Sequence, residues 1–150
     1  MVYERSELER DICSETVVHF GVKNWDIPLL KAGKKWPPSG RILLFTIEIK
    51  RQLLDLQLGL GWCPVGTDTR ERLFQIALAN EPPFLPMHFR RLPPQWIYLY
   101  RRKILNPRTY DELNAEALEA EIRKEWTDFV EHDLPALDAI LLISLQSPNV

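Results

Sequence analysis

The chain predicts an α+β fold: a short antiparallel sheet, built from a hairpin at about 41–61 and a strand at about 95–105, packed by an N-terminal, a middle and two C-terminal helices. Three observations carry this expectation. In RILLFTIEIK, residues 41–50, Ile42, Leu44, Thr46, Glu48 and Lys50 point one way and Leu43, Phe45, Ile47 and Ile49 the other, as a pleated strand requires. Leu54, Leu56, Leu58 and Leu60 resume the alternation at once, so the simplest connection is a hairpin turning near Arg51-Gln52, although no Gly or Asn stands there. Helical patterns flank these strands instead of alternating strictly with them, which separates α+β from a βαβ architecture.

The elements follow in order. Ser6-Glu7-Leu8-Glu9 has capping-box form, and the helix it opens would align Leu8, Ile12, Thr16, Val17 and Phe20 before ending at Gly21. A second helix would start with Asp26 as N-cap and Pro28 in its first turn, and stop at Gly33. After the hairpin and the loop GWCPVG, Asp68 and Glu71 cap a helix carrying Leu73, Phe74, Ile76, Ala77 and Leu78, which stops at Glu81-Pro82-Pro83. QWIYLYRRKIL, residues 95–105, has the aromatic and branched content of a third strand. Thr109-Tyr110-Asp111-Glu112 opens a long helix with Leu118, Ile122, Trp126, Phe129 and Val130 as its buried stripe. Asp133-Leu134-Pro135 starts or kinks into a last helix, ALDAILLIS.

With 150 residues, 45% apolar and 27% charged, the chain has the size and mixture of a single globular domain spanning 1–150. The two cysteines, Cys13 and Cys63, form no CxxC pair and suggest neither a zinc site nor a disulfide framework, which fits a reducing, cytoplasmic compartment. The charged start MVYERSELER is unlike a secretory signal, and the longest apolar run, AILLI, is too short to span a bilayer, so no membrane partner is expected. Charge is unevenly spread. Residues 1–108 hold 17 basic and 11 acidic side chains, whereas residues 109–150 hold 2 and 10, a positive body followed by an acidic end.

Glu48 and Lys50 are the sharpest chemical motif. A Mg²⁺-dependent nuclease needs carboxylates for the ion and an ammonium for the attacking hydroxide, and an i, i+2 pair on one strand face offers one of each. The second carboxylate would have to be Asp26, which the N-cap role already explains. The solvated side of a hairpin accounts for Glu48 and Lys50 without further demands. Gly59, Gly61 and Gly66 between strand and helix lack the Gly-Lys-Ser/Thr of a phosphate loop. Arg70 and Arg72 oppose the dipole of the helix they begin, which exposure alone would permit. Residues 88–103, HFRRLPPQWIYLYRRK, interleave bases with rings. There Arg90, Arg91, Arg101, Arg102 and Lys103 would meet phosphates, while Trp96, Tyr98 and Tyr100, on one strand face, would stack on bases or instead form core under Trp126 and Phe129. His19, His88 and His132 show no metal-ligand spacing, and neither GxSxG nor HExxH occurs.

The succession GRILLFTIEIKRQLLDLQLGLG, RERLFQIA, WIYLYRRKIL and EIRKEWTDFVEHDLPALDAIL resembles the region that follows the catalytic core in some prokaryotic PD-(D/E)XK nuclease-superfamily proteins, over about residues 20–145. The resemblance implies an accessory, non-catalytic module in a defence or DNA-processing setting. In that family the metal-binding carboxylates and lysine lie upstream of this region, so none of them carries over to a position here. The expectation is therefore a module that binds nucleic acid or a protein partner, without a cofactor. Arg70, Arg72, Arg90, Arg91, Arg101, Arg102 and Lys103 are the candidate contacts. The alternatives are a minimal Mg²⁺ nuclease using Asp26, Glu48 and Lys50, and a protein-interaction adaptor.

Overall fold

A computed structural model describes residues 5–31, 33, 37–61, 67–88 and 90–146, and Cys63 and Gly66 lie outside them. Five strands form one antiparallel sheet in chain order: β1 (Leu8–Cys13), β2 (Val17–Val22), β3 (Leu43–Lys50), β4 (Leu53–Leu60) and β5 (Ile97–Leu105). Between β4 and β5 lies helix α1 (Thr67–Ala79); after β5 come α2 (Pro107–Glu112), α3 (Ala115–Asp128) and α4 (Leu134–Gln146). The α+β class and the β3–β4 hairpin stand as the alternation predicts. Arg51 takes φ 46° in the turn, the left-handed conformation that glycine would adopt without cost.

The N-terminal helix is not formed. Its place is taken by the β1–β2 hairpin, closed by the Ser14 N–H donating to the Val17 carbonyl at 2.8 Å. The apolar residues at helical spacing hid a second pattern. Val18, Phe20 and Val22 alternate with Val17, His19 and Gly21, and the branched and aromatic content of VVHFGV suits a strand bonded on both sides. Ile12, assigned to the buried stripe, is exposed. The helix expected from Asp26 shrinks to a single 3₁₀ turn, Pro28–Lys31, because the Asp26 carboxylate is held elsewhere.

Helices cover one face of the sheet, called here the inner face. Trp126 meets Phe20 edge-on at 5.7 Å, and Phe129 meets Phe45 at 5.2 Å and Tyr100 at 6.1 Å between ring centroids. Leu43, Ile47, Leu56, Leu58 and Leu60 fill the same layer, with Leu73 and Phe74 of α1 and Leu137 and Leu141 of α4. Ile49, which alternation sets on the same face as the buried Phe45 and Ile47, is 46% exposed at the hairpin tip. The helix expected from Thr109 is split. Asn106 caps α2 by accepting from Thr109 N–H at 2.9 Å, and Asn114 caps α3 by accepting from Ala117 N–H at 2.8 Å. A π turn at Phe129–Asp133 joins α3 to α4, where the Asp133-Leu134-Pro135 kink was expected. Among the described residues no helix is long and apolar enough to cross a membrane.

Two bulges on β5 decide which side chains face which way. Leu58 pairs with Tyr100 but Gly59 with Tyr98, and Leu54 pairs with Leu105 but Asp55 with Lys103. One extra β5 residue at each step lets Leu99 and Tyr100, and again Ile104 and Leu105, all join the core. Trp96, Tyr98 and Tyr100 therefore do not share a face: Tyr100 turns inward, whereas Tyr98 stays outside and 40% exposed.

Candidate functional site on the outer sheet face

The outer face carries the alternate residues: His19 and Gly21 of β2; Leu44, Thr46 and Glu48 of β3; Asp55, Gln57 and Gly59 of β4; Tyr98, Arg101 and Lys103 of β5. Thr46, Gln57 and Arg101 lie side by side across three strands, as do Glu48, Asp55 and Lys103. Gly59 and Gly61 make room for the Trp96 indole. A Cβ on Gly61 would lie 2.6 Å from the ring, and one on Gly59 would clash with the indole more severely still. This is the purpose of the glycines, in place of a phosphate cradle.

One end of this face, by β1 and β2, is a closed charge cluster. Arg41 is 6% exposed and gives Nε to Asp26 at 2.7 Å, Nη2 to Asp26 and Glu9 at 2.6 Å, and Nη1 to Asp11 at 2.8 Å. Its guanidinium lies on Gly21, where a Cβ would come within 2.6 Å of Nε. The β1 bulge between Arg10 and Cys13 brings Asp11 to this arginine. The Arg41 hydrogen bonds hold the Asp26 carboxyl below its ordinary pKa against the opposing effect of burial. For Asp11, burial raises the pKa, but hydrogen bonds from Ser39 and Arg41 prevail and lower it. Beside the cluster His19 Nδ1 lies 2.9 Å from Thr46 Oγ1, and burial lowers the imidazole pKa against the pull of Asp11.

The other end, by β4 and β5, is open and uneven in its pairing. Asp55 Oδ2 accepts from Arg101 Nη2, whose side chain is 41% exposed. Asp55 Oδ1 and Gln57 Oε1 are buried and have no hydrogen-bond partner among the described residues. Burial raises the Tyr98 phenol pKa, and Glu48 raises it further, while Lys50 lowers it. Lys103, Arg90 and Arg91 are exposed nearby in sequence.

The remaining candidates are divided. Arg102 faces inward and is caged: Nε meets Glu125 at 2.8 Å, Nη1 meets Asp133 at 2.9 Å and Nη2 lies 3.6 Å from Asp128. Asp133 also accepts from the Tyr100 hydroxyl, and burial followed by this carboxylate drives the phenol pKa far upward. Arg70 is buried, donating to the carbonyls of Gly61 at 2.8 Å, Pro93 at 2.5 Å and Gln95, so it ties the loop before β5 to the end of β4. Arg72 donates to the Ser144 carbonyl at 2.6 Å and joins α1 to α4. These three guanidiniums serve the fold. The signal that sequence reasoning lacked was the acidic cluster on α3 and the π turn, which accounts for Arg102.

Asp26, Glu48 and Lys50 are not brought together. Asp26 is bound over Gly21, whereas Glu48 pairs with Val17, four residues or about 13 Å along β2. Glu48 instead ion-pairs with Lys50 at 2.8 Å, and one ion cannot take both carboxylates. Asp55 and Gln57, two polar side chains within the leucine-rich strand β4, are the ones with unfilled bonding capacity among the described residues. Among the described residues no three His, Cys, Asp or Glu side chains gather as a metal site. No protein-family model matches the chain, and no curated protein or solved structure matches it either.

Proposed function

We propose that this protein is a non-catalytic module that binds single-stranded nucleic acid across the β4–β5 end of its outer sheet face. The observation that carries the reading is the presentation, on one strand and one face, of a 40% exposed tyrosine, Tyr98, beside exposed Arg101 and Lys103. A ring on an open sheet offers a stacking surface to any base, and flanking cations hold the backbone phosphates. Arg90 and Arg91, in the loop before β5, extend the basic border. The resemblance of the sequence to the accessory part of PD-(D/E)XK nuclease-superfamily proteins supports the same reading, and with it we propose a setting in DNA processing or defence.

The test is fluorescence anisotropy of a labelled oligothymidylate over a range of salt. Binding should weaken as salt rises, and Lys103→Ala should reduce the slope of log K against log salt by about 0.7, one contact's worth for a single strand. Absence of binding at low salt would defeat the reading. A protein-binding adaptor is the second reading, favoured by a shallow apolar hollow on α3 lined by Ala115, Leu118 and Ile122 between Glu119 and Arg123. It predicts a stable complex or homodimer that Leu118→Lys abolishes.

A further inference from the structure

Resting on the strand-binding reading, we infer that Asp55 and Gln57 form a guanine-recognition subsite in the floor of that face. The two residues are 7% and 8% exposed, yet each keeps an oxygen without a hydrogen-bond partner among the described residues. They stand at i and i+2 on β4 and so project from the same side of the strand, with their Cα atoms about 7 Å apart. Both orphaned atoms are acceptors, and leaving two of them buried in a small domain costs the fold stability that an apolar pair would not. A ligand that restores the balance must bring donors.

Among nucleobases this requirement discriminates. The Watson–Crick edge of guanine sets two donors, N1–H and the N2 amino group, side by side next to the acceptor O6. Adenine and cytosine place one amino group beside an acceptor, and thymine places one N–H between two carbonyls. Arg101 completes the match. It sits opposite Gln57 on β5, already holds the second Asp55 oxygen, and its exposed guanidinium has further N–H groups to offer O6. On the same face Arg101 stands opposite Gln57 and Tyr98 opposite Gly59, and both side chains are partly exposed. A base enters by displacing them, and Tyr98 then stacks on the base it admits.

Three labelled short strands test this at low salt: oligothymidylate, the same strand with one central guanine, and the same with hypoxanthine, which lacks the N2 amino group. The guanine strand should bind about tenfold tighter than the all-thymidine strand, and hypoxanthine should lose most of the gain. Asp55→Asn, which keeps the side-chain shape, and Gln57→Leu should each bring the guanine-to-thymidine ratio towards one, with folding checked by thermal melting. If the all-thymidine strand binds and the wild-type ratio is already near one, the subsite is overturned while strand binding survives. If no strand binds, or an arginine-rich peptide binds and strands do not, the reading beneath it falls as well. Guanosine monophosphate as competitor should be at least about a hundredfold weaker than the guanine strand, since it lacks neighbouring phosphates; equal potency would overturn the assignment to a strand.

Discussion

The two ends of the outer sheet face use the same residue types to opposite ends. At the β1–β2 end a buried guanidinium, Arg41, meets the carboxylates of Asp11, Asp26 and Glu9 with hydrogen bonds of 2.6 to 2.8 Å. At the β4–β5 end a carboxylate, Asp55, has one oxygen on an exposed arginine, while its other oxygen and the Gln57 carbonyl oxygen have no hydrogen-bond partner among the described residues. The first end spends its polarity on tying the N-terminal hairpin to the residues before β3. The second keeps bonding capacity in reserve, at a cost to stability, next to the tyrosine and cations that a strand would use. The difference teaches where to look for function in a polar sheet face: at the incompletely satisfied groups, not at the largest charge cluster.

Breaking the first end should have the largest effect. Arg41→Met leaves the nearly buried Asp11 carboxylate without its counterion and Asp26 with only Lys31 at 4.0 Å, and urea denaturation should show a loss of about 3 to 5 kcal/mol. A loss below about 1 kcal/mol would mean that the cluster is not a structural tie. The second end should respond in binding instead. Tyr98→Ala is expected to weaken strand affinity by about 1 to 3 kcal/mol, with thermal stability close to wild type. Unchanged affinity would remove the ring from the interface.

A smaller effect sharpens the comparison by its sign. Gln57→Leu removes a buried acceptor that has no partner among the described residues, so the melting temperature should rise, with a gain of about 1 kcal/mol. A fall of that size would show that the carboxamide supports the fold. The smallest effect is on pH. Burial lowers the His19 pKa, so below 6.5 the unfolded chain takes up a proton that the folded chain resists, and stability declines as pH falls through that value. Asp11 and Asp26 act further down. Their folded pKa values lie below 3.8, so their contribution is complete above that pH and is lost as pH falls through the folded values. His19→Gln should flatten the upper part of the profile and leave the acid limb in place.

Legibility followed the range of the interactions. The β3–β4 hairpin, α1, β5 and the kink before α4 were readable because each rests on local alternation, capping or proline punctuation. The β1–β2 hairpin was not, since Leu8, Ile12, Val17 and Phe20 satisfy a helical stripe as well as a strand, and only pairing of β2 with β3 decides between them. The split of Arg101 from Arg102 follows from simple alternation, but the fates of Tyr98 and Tyr100 hang on the Leu99 bulge, which no local signal announces. Asp26 read as an N-cap because its true partner, Arg41, is 15 residues away. Asp55 and Gln57 were visible only as the polar steps of a strand, since an unmet hydrogen bond is a property of three dimensions.

The most direct test of the account is a two-dimensional ¹H–¹⁵N spectrum of the protein titrated with oligothymidylate at low salt. The backbone amides of Gln57, Tyr98, Arg101 and Lys103 should shift progressively and return when salt is added, while those of Glu9, Asp11, His19 and Arg41 stay in place. Shifts confined to the Arg41 end, or to α3, would contradict the assignment of binding to the β4–β5 end.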